Sequence, residues 1–339
     1  MTEIKNGLVT AVWKNAYGLR IDGSNLRGEL SGKLQFGAES SLDLPTVGDR
    51  VQCLVPEDAT LAIIQEIQPR TTLLKRKAAG QAVEFQPLAA NLDGLLVVMA
   101  LTEDFNLNRL DRYLVLAAEA KIPAAVLLSK ADLVTTVETA NRQQAVTDRY
   151  PELAVLVISN ATGKGIDELA EHLPADQTFC LLGSSGVGKS SLINRLTSRD
   201  DLATGAVRET DGRGRHVTTT RQMFQLANGA WLIDSPGLRE LGNFDLSTGL
   251  DDTFADITAL AVECRFNDCT HRHEAGCAVQ AAVDSGELGA DRLANYQKIQ
   301  READYYDRSY HEQRRRDKDF GKMVKQVKKH LKQNTAKGR

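Results

Sequence analysis

The sequence is poor in aromatic residues and has no long apolar stretch. Aromatic residues make up 5% of the 339-residue chain, against 42% apolar and 26% charged residues, a balance typical of a soluble globular protein. No run of about 18 apolar residues occurs, so we expect no transmembrane helix. The N-terminus lacks the apolar core of an export signal. We therefore expect a cytoplasmic protein of two or three domains that does not bind membranes.

Cysteine is also scarce. Five cysteines, an odd number in a chain without an evident export signal, argue against a disulfide framework. Three of them fall, with a histidine, inside the 14-residue polar stretch CRFNDCTHRHEAGC. Three thiolates and one imidazole suit a tetrahedral structural Zn2+ site, one ion per chain, with no open position for water. The predicted ligands are Cys264, Cys269, His271 and Cys277. His273 is a spare candidate, and Cys53 and Cys180 are predicted to be core residues.

Positive charge is concentrated at the C-terminal end. The chain has a formal net charge of -3, yet residues 311–339 hold eleven Lys and Arg against three acids, a net of +8 that leaves about -11 for the remainder. A basic tail on an acidic body suggests a polyanionic partner, although many charged tails are only solvated. Contacts to RNA phosphate, which salt would weaken, are candidate roles for Arg265, Arg272, Arg314–Arg316, Lys325, Lys328 and Lys329.

Four regions differ in pattern. Residues 1–72 hold short β-rich runs such as LVTAVW, RGELSGKLQF and DRVQCLV, which predict a small β-barrel of the OB-fold type, whether it binds nucleic acid or is purely structural. TTLLKRKAAGQ (71–81) loses this β-pattern, and residues 73–88 are predicted to be a linker. Residues 89–245 alternate apolar strands with helices, as in a parallel sheet covered on both faces. Residues 246–339 are predicted to form a helical zinc-binding domain with a basic tail.

A phosphate loop begins the second half of the chain. GSSGVGKS (183–190) fits the pattern G-x-x-x-x-G-K-[ST], with a predicted strand before it and a predicted helix after it. Lys189 would bring positive charge to the outer phosphates, and the Ser190 hydroxyl is placed to ligate Mg2+. A simple glycine-rich turn would not explain both residues. The predicted phosphate-binding residues are Gly183, Ser184, Ser185, Gly186, Val187, Gly188, Lys189, Ser190 and Ser191.

A second acidic motif, IDSPG (233–237), follows this loop. It ends a strand that is joined to RQMFQL across Asn228-Gly229, a hairpin signal. Asp234 would hold Mg2+ through water, and the Gly237 N–H would face the γ-phosphate. Taken alone, a strand-ending turn is the simpler interpretation. Because IDSPG follows a phosphate loop by some forty residues, the Mg2+ role is favoured for Asp234.

Two short motifs upstream of the phosphate loop indicate guanine rather than adenine. SKAD (129–132) ends a buried strand, where open α/β sheets bind ligands. The Asp132 carboxylate can accept two adjacent donors, which guanine has and adenine lacks. The aliphatic stem of Lys130 could cover the base. SNATGKG (159–165) ends the next strand. The predicted base-binding residues are Ser129, Lys130, Asp132, Ser159 and Asn160.

The order SKAD, SNATGKG, GSSGVGKS, GRGRHVTTT, DSPG is a GTPase order permuted so that base recognition precedes phosphate binding. With a β-rich N-terminal module and a C-terminal Cys/His cluster, nearly the whole chain resembles the circularly permuted, ribosome small-subunit-dependent GTPases of the RsgA/YjeQ type. The resemblance implies three parts: an OB-fold barrel, a central α/β P-loop GTPase domain and a C-terminal α-helical zinc-binding domain. It also implies GTP/GDP, Mg2+ and Zn2+ as bound groups, and the small ribosomal subunit with its rRNA as partner. We expect a monomer. The sequence leaves open whether the chain is the main family member or a diverged paralogue.

The same resemblance implies the catalytic residues. His216 is the family's proposed catalytic residue, with Thr218 and Thr219 as sensors of Mg2+ and the γ-phosphate. The residue after the D-x-x-G motif, often a water-orienting Gln in GTPases, is Leu238, which cannot hydrogen bond. We therefore expect low intrinsic hydrolysis that the small subunit stimulates. The alternative is an RNA- or ribosome-binding module whose nucleotide site is structural, with negligible turnover. A generic P-loop ATPase is disfavoured by Asp132.

Three positions depart from the family pattern. Ser129 stands where Asn or Thr is usual, and a hydroxyl is not expected to replace an amide that braces the phosphate loop and the base. Asn160 occupies a place commonly held by Ala. Val217 interrupts a threonine run. We expect guanine binding to survive these departures, with an effect on affinity.

Overall fold

The N-terminal part is a closed five-stranded barrel. The computed structural model describes residues 2–14, 16–57, 61–77, 85–197, 221–234 and 249–304. The barrel strands are β1 (Thr2–Val12), β2 (Tyr17–Ile21), β3 (Ser24–Leu30), β4 (Arg50–Pro56) and β5 (Leu61–Ile67). They pair in the order β1-β2-β3-β5-β4, and β4 pairs back onto β1. Alternate residues of β2 and β4 point into the barrel and are buried, as the two-residue period of a strand requires. The predicted barrel is confirmed.

Two local predictions for this part are wrong. The β-rich run RGELSGKLQF predicts a strand, but β3 ends at Leu30 and helix α1 (Gly32–Gly37) follows, because Ser31 caps it by accepting from Leu34 N. The sequence of residues 71–81 predicts no β-structure. Instead β6 (Leu73–Lys77) pairs with β7 (Phe85–Ala90) in an antiparallel ribbon. The β-pattern in the sequence is weak here because β6 is short and ends in three consecutive basic residues, Lys75, Arg76 and Lys77.

The central part is an α/β unit. Its elements are β8 (Gly94–Ala100), α2 (Leu107–Glu119), β9 (Ala124–Ser129), α3 (Thr136–Arg149), β10 (Ala154–Val157), α4 (Ile166–Glu171), β11 (Thr178–Leu182), α5 (Lys189–Thr197), β12 (Arg221–Gln225) and β13 (Trp231–Asp234). The strand order is β10-β9-β8-β11-β13-β12, parallel except for β12. β12 and β13 form the hairpin predicted at Asn228-Gly229.

The sheet is covered on both faces, which explains its near-continuous apolar strands. Every residue of β8 is buried. Leu95, Val97 and Met99 belong to one core cluster, while Leu96 and Val98 belong to the other. Helices α4 and α5 contribute to the second cluster, with Leu169 and Ile193 among its buried residues.

The barrel and the central sheet are one continuous sheet. Strand β12 pairs antiparallel with the end of β1, Ala11 opposite Gln222 and Val12 opposite Arg221. Arg221 also donates from Nη1 to Pro87 O in the ribbon, at 2.8 Å. Strand β12 of the central sheet is therefore hydrogen-bonded both to the barrel and to the ribbon.

The C-terminal helices share the first core cluster with the central sheet. They are α6 (Gly249–Thr253), α7 (Ala255–Ala261), α8 (Ala278–Ser285) and a helix over 290–304. Phe254, fully buried, meets the Tyr296 ring edge-on at 5.4 Å. Gly249 lies so close to α2 that a Cβ there would be 2.2 Å from Val115 O. None of the helices in the described ranges is long and apolar enough to cross a membrane.

A buried polar network crosses this junction. The carboxylate of Asp111, on α2 and fully buried, accepts from four side chains. They are Arg149 Nη2 (2.5 Å), Tyr150 Oη (2.6 Å), Asn295 Nδ2 (2.7 Å) and Arg292 Nη1 (3.5 Å). Two of these donors come from the helix over 290–304, so α2 is joined to the C-terminal helices by both apolar and polar contacts.

Candidate nucleotide site and metal centre

Four strands of the central sheet end at one edge, and the predicted motifs follow those ends. Ser129 pairs with Ala100 at the ends of β9 and β8, and Asp234 pairs with Leu181 at the ends of β13 and β11. The chain adds β9 and β10 on one side of β8 and returns with β11 on the other. Such a reversal of strand order leaves a crevice at the carboxyl edge where α/β proteins bind ligands.

The predicted phosphate loop lies in this crevice, between β11 and α5. Gly183 has φ +148°, and a Cβ there would be 2.3 Å from Val98 O, so the loop passes too close to β8 for any other residue. The Lys189 ammonium donates to Gly183 O and Ser184 O, both at 2.7 Å. This folds the lysine back over its own loop. Helix α5 begins at Lys189, so the N–H groups of its first turn lie beside the loop, where a helix N-terminus favours an anion.

The two predicted base motifs contact each other. Ser159 Oγ, fully buried, donates to Asp132 Oδ1 at 2.5 Å and accepts from Thr162 N at 3.1 Å. Lys130 has φ +60°, a left-handed conformation that turns the chain sharply between β9 and Asp132. Asp132 itself is exposed. Its carboxylate is therefore fixed by Ser159 but still accessible to a ligand.

Both unusual residues at this edge hold the phosphate loop. Ser129 Oγ, fully buried, donates to Val187 O at 2.7 Å. The Asn160 amide donates from Nδ2 to Gly188 O at 3.0 Å. The Ser129 hydroxyl does brace the loop, because the strand end lies close enough to Val187 for the shorter side chain to reach. That it does not replace an amide at the base stays a prediction. Asn160 supplies an amide brace from the neighbouring strand end.

Two arginines in this region were not foreseen. Arg109, in the first turn of α2, donates from Nη1 to Ser184 Oγ in the phosphate loop at 3.2 Å. Arg195, on α5, donates from Nη1 to Asn160 O at 2.7 Å. Neither belongs to a sequence motif. Each is brought to the crevice by a helix that follows one of the converging strands.

Part of the predicted site lies outside the described residues. These positions are His216, Val217, Thr218, Thr219, Gly237 and Leu238. Ser185, Gly186, Ser190 and Ser191 lie in the loop or the first turn of α5, as predicted. Asp234 is the last residue of β13 and is half-buried.

The four predicted zinc ligands form a cluster whose ligand atoms all lie within 4.8 Å of one another. His271 Nδ1 is 3.6 Å from Cys264 Sγ and 3.4 Å from Cys277 Sγ, and the two sulfurs are 3.9 Å apart. Tetrahedral Zn2+ with Zn–S bonds of about 2.3 Å separates two sulfurs by about 3.8 Å. The cluster, completed by Cys269, could therefore hold a zinc ion. His273 is exposed and outside it.

The backbone around the cluster is held by side chains. His271 has φ +56°, and its carbonyl accepts from Gln280 Nε2 at 2.6 Å and Gln297 Nε2 at 2.7 Å. Burial lowers the pKa of His271, which favours the neutral, metal-binding ring. Burial raises the pKa of the Cys264 thiol, but backbone N–H groups of Val279 and Ala278 outweigh it and lower that pKa overall. These effects favour a neutral His271 ring and a deprotonated Cys264, whereas burial raises the pKa of Cys269 to about 11.

The fold and the crevice define a class: a P-loop nucleotide-binding domain in permuted order, with base-recognition strands before the phosphate loop. The family model described as "RsgA GTPase" matches residues 67–244. The chain belongs to the RsgA GTPase family, and it is a GTP hydrolase.

Curated relatives and solved structures agree with this assignment. A Lactiplantibacillus plantarum protein named small ribosomal subunit biogenesis GTPase RsgA 2 is 45% identical, over 82% of this chain and 77% of its own. A protein of the same name from Listeria monocytogenes serotype 4b is 41% identical, over 96% of this chain and 92% of its own. The crystal structure of YjeQ from Thermotoga maritima, 25% identical, superposes with a TM-score of 0.65 over 89% of this chain and 99% of that one.

Proposed function

We propose that this chain is a GTP-hydrolysing switch in the biogenesis of the small ribosomal subunit, acting in the cytoplasm on the subunit and its rRNA. The observation that carries the proposal is the convergence of the Asp132–Ser159 pair and the Lys189 loop at one sheet edge. A carboxylate fixed for guanine and a loop shaped for phosphates stand there together. The names of the relatives support the ribosomal role.

Each residue at the edge has a role in this proposal. Asp132 accepts from guanine N1–H and the exocyclic amine, and the Lys130 stem covers the base. On nucleotide binding, the Lys189 ammonium leaves Gly183 O and Ser184 O for phosphate oxygens, joined by N–H groups of the loop and α5. Ser190 and Asp234 would hold Mg2+, which neutralises phosphate charge. The remaining phosphate-loop residues, 183–188 and Ser191, line the nucleotide.

Hydrolysis needs a water molecule oriented towards the γ-phosphate. We assign that role to His216, with Thr218 and Thr219 as sensors of Mg2+ and the γ-phosphate and the Gly237 N–H as a donor to the γ-phosphate. Because Leu238 cannot orient water, the chain depends on a partner to complete the site. This dependence makes hydrolysis a timing device for release from the subunit.

GTP hydrolysis measured with and without purified small subunits tests the function. We expect slow turnover alone and at least about a ten-fold rise with small subunits, and no comparable rise with large subunits as the control. An arginine or similar group supplied by a partner can raise GTPase rates by far more than this. Negligible turnover in both conditions would favour a binding module with a structural nucleotide site.

Removing the two loop-bracing side chains tests how the nucleotide site is held. Asn160→Ala should weaken GDP binding about three- to ten-fold, because one hydrogen bond to the phosphate loop is lost. Adding Ser129→Ala should weaken binding further by a similar factor, because the bond from Ser129 Oγ to Val187 O is then lost as well. Titration with a fluorescent GDP analogue measures both variants, with the exposed Asn141→Ala as control. A double variant that binds GDP as tightly as Asn160→Ala would contradict shared bracing.

The metal centre is proposed to hold one structural Zn2+ per chain. Cys277→Ser should lose most of the bound zinc and lower the melting temperature, because Cys277 is both a ligand and the N-cap of α8, where its sulfur accepts from Gln280 N. Metal analysis of the purified protein gives the zinc content. Cys53→Ala, in the barrel core and far from the cluster, should keep about one zinc per chain. Equal zinc in the two variants would refute the assignment.

A further inference from the structure

A groove outside the nucleotide site opens where the barrel meets the central sheet. It has a volume of about 930 Å3. The barrel wall is formed by the first three strands and their hairpin, and the other wall by β12 and the start of β13. The groove exists because β12 pairs with the end of β1, so that the two sheets continue into each other at an angle. None of the predicted site residues that the structure describes lines it.

The charge of this groove is unlike that of the chain as a whole. Lys14, Arg20 and Arg27 line it, and none of the described residues along its walls is acidic. The complete chain has a net charge of -3. Arg27 has an ion pair with Glu29 at 3.6 Å, but both side chains are about half exposed, so the pair is weak and the cation can bind a ligand.

Aromatic surface is concentrated in the same place. The chain has two tryptophans, and both Trp13 and Trp231 line the groove. Trp13 is 42% exposed, which is unusual for a side chain of this size in the absence of a partner. Amide side chains of Asn25, Gln222 and Gln225 also line the groove and could pair with base edges. Asn25 Oδ1 accepts from Arg20 Nη1 at 3.1 Å, an exposed bond that leaves the Asn25 Nδ2 donor for a base.

This combination fits single-stranded nucleic acid. Proteins bind unpaired strands by stacking bases on aromatic side chains while cations follow the phosphates. The strand 2–3 face of barrels of this type is a common place for it. In an RNA duplex the bases are stacked on each other and unavailable to indoles. An acidic peptide would satisfy the cations but would leave both indoles without flat partners.

We propose that the groove binds a short single-stranded RNA segment, with bases stacked on Trp13 and Trp231 and phosphates on Lys14, Arg20 and Arg27. The proposal rests on the ribosomal function proposed above and adds a specific RNA-binding surface to it. Because one wall is barrel and the other is the nucleotide sheet, the bound strand bridges the two domains.

The test uses the chain's own fluorescence, since every tryptophan lies in the groove. The full-length protein with GDP is titrated with single-stranded oligoadenylate of eight nucleotides, and separately with a duplex of the same length. We expect saturable quenching by the single strand and little by the duplex. If the three cations neutralise three phosphates, the logarithm of the association constant should fall with the logarithm of the salt concentration with a slope of about -2.

Variants locate the binding. Arg20→Ala with Arg27→Ala should weaken binding at least about ten-fold and reduce the salt slope to about -0.7. Trp13→Ala should weaken it about ten-fold, and Trp13→Phe should weaken it less because a ring remains. Matched controls lie elsewhere on the barrel: Lys33→Ala with Arg50→Ala, and Phe36→Ala at an aromatic residue that is 88% exposed. Near-wild-type binding is expected for both.

Stimulation by small subunits is measured on the same proteins, so that two failures can be told apart. No binding of single strands by a wild type that subunits do stimulate would overturn the groove proposal and leave the function intact. Loss of stimulation in the groove variants without any RNA binding would mean that the groove takes a protein, which also overturns it. Equal losses of RNA affinity in the groove variants and the control variants would also overturn the groove proposal. Absence of stimulation in the wild type would overturn the function itself.

Discussion

Replacing Lys189 with alanine is expected to lower kcat/KM for GTP by about 10²- to 10³-fold, or roughly 3–4 kcal/mol of transition-state stabilisation. Lys189 is the cation of the phosphate loop, and its Nζ is held at 2.7 Å from two loop carbonyls. Those bonds keep the ammonium within the loop, where phosphate oxygens would replace the carbonyls. Removing it deletes charge at the place where negative charge develops during phosphoryl transfer.

The control for this prediction is Lys164→Ala. Lys164 is an exposed lysine in the SNATGKG loop (159–165). Its replacement removes the same charge at the same edge of the sheet, but outside the phosphate loop. Steady-state hydrolysis with small subunits, together with nucleotide titration, separates lost binding from lost turnover. We expect Lys164→Ala to stay within about three-fold of the wild type. A Lys189→Ala protein with similar activity would show that neither phosphate binding nor turnover depends on this lysine.

The parts of the site that the sequence predicts are those carried by local patterns. A phosphate loop is eight consecutive residues, and its strand and helix are adjacent in the chain. The metal cluster lies within 14 residues. The hairpin between β12 and β13 follows from Asn228-Gly229. In each case the residues that make the structure are close in sequence, so spacing alone determines which side chains meet.

What the sequence does not predict is set by contacts between distant segments. The reach of Ser129 to Val187 depends on how closely β9 approaches the loop, a separation that no motif records. Arg109 meets Ser184 across 75 positions of the chain. The β1–β12 pairing joins two domains through backbone hydrogen bonds, to which side-chain pattern contributes little. The ribbon of β6 and β7 was missed for a related reason, since a two-stranded ribbon needs no extended apolar pattern.

Helix α2 is the element that connects these distant contacts. Its first turn places Arg109 on the phosphate loop, and the next turn places Asp111 and Arg112 against the C-terminal helices. Arg112 forms a bidentate salt bridge with Glu302, in which both hydrogen bonds are 2.7 Å long. The helices that carry the Cys/His cluster are thus fixed to the same helix that contacts the phosphate loop, and disrupting the network on α2 should affect the stability of both parts.

Asp111→Ala is expected to lower the free energy of unfolding by about 3–5 kcal/mol. The substitution leaves the guanidinium groups of Arg149 and Arg292, whose side chains are 9% and 8% exposed, without the carboxylate that compensates them. Buried charges that lose their partner cost far more than an exposed pair contributes. Urea unfolding followed by circular dichroism gives the change, and Arg292→Ala should be similarly destabilising because it also leaves Asp256 and Asp111 short of donors.

Asp291 provides a matched control for Asp111. It also pairs with Arg149, at 3.4 Å, but its side chain is 65% exposed. Asp291→Ala should therefore change stability by less than about 1 kcal/mol, since water replaces the lost contact. Both variants remove an aspartate that pairs with Arg149, but only Asp111→Ala also removes the bonds to Tyr150, Asn295 and Arg292, so the contrast measures the buried network as a whole. If the two substitutions shifted the urea midpoint equally, the junction would not depend on the buried network, and the shared apolar core around Phe254 would have to hold the C-terminal helices to α2 by itself.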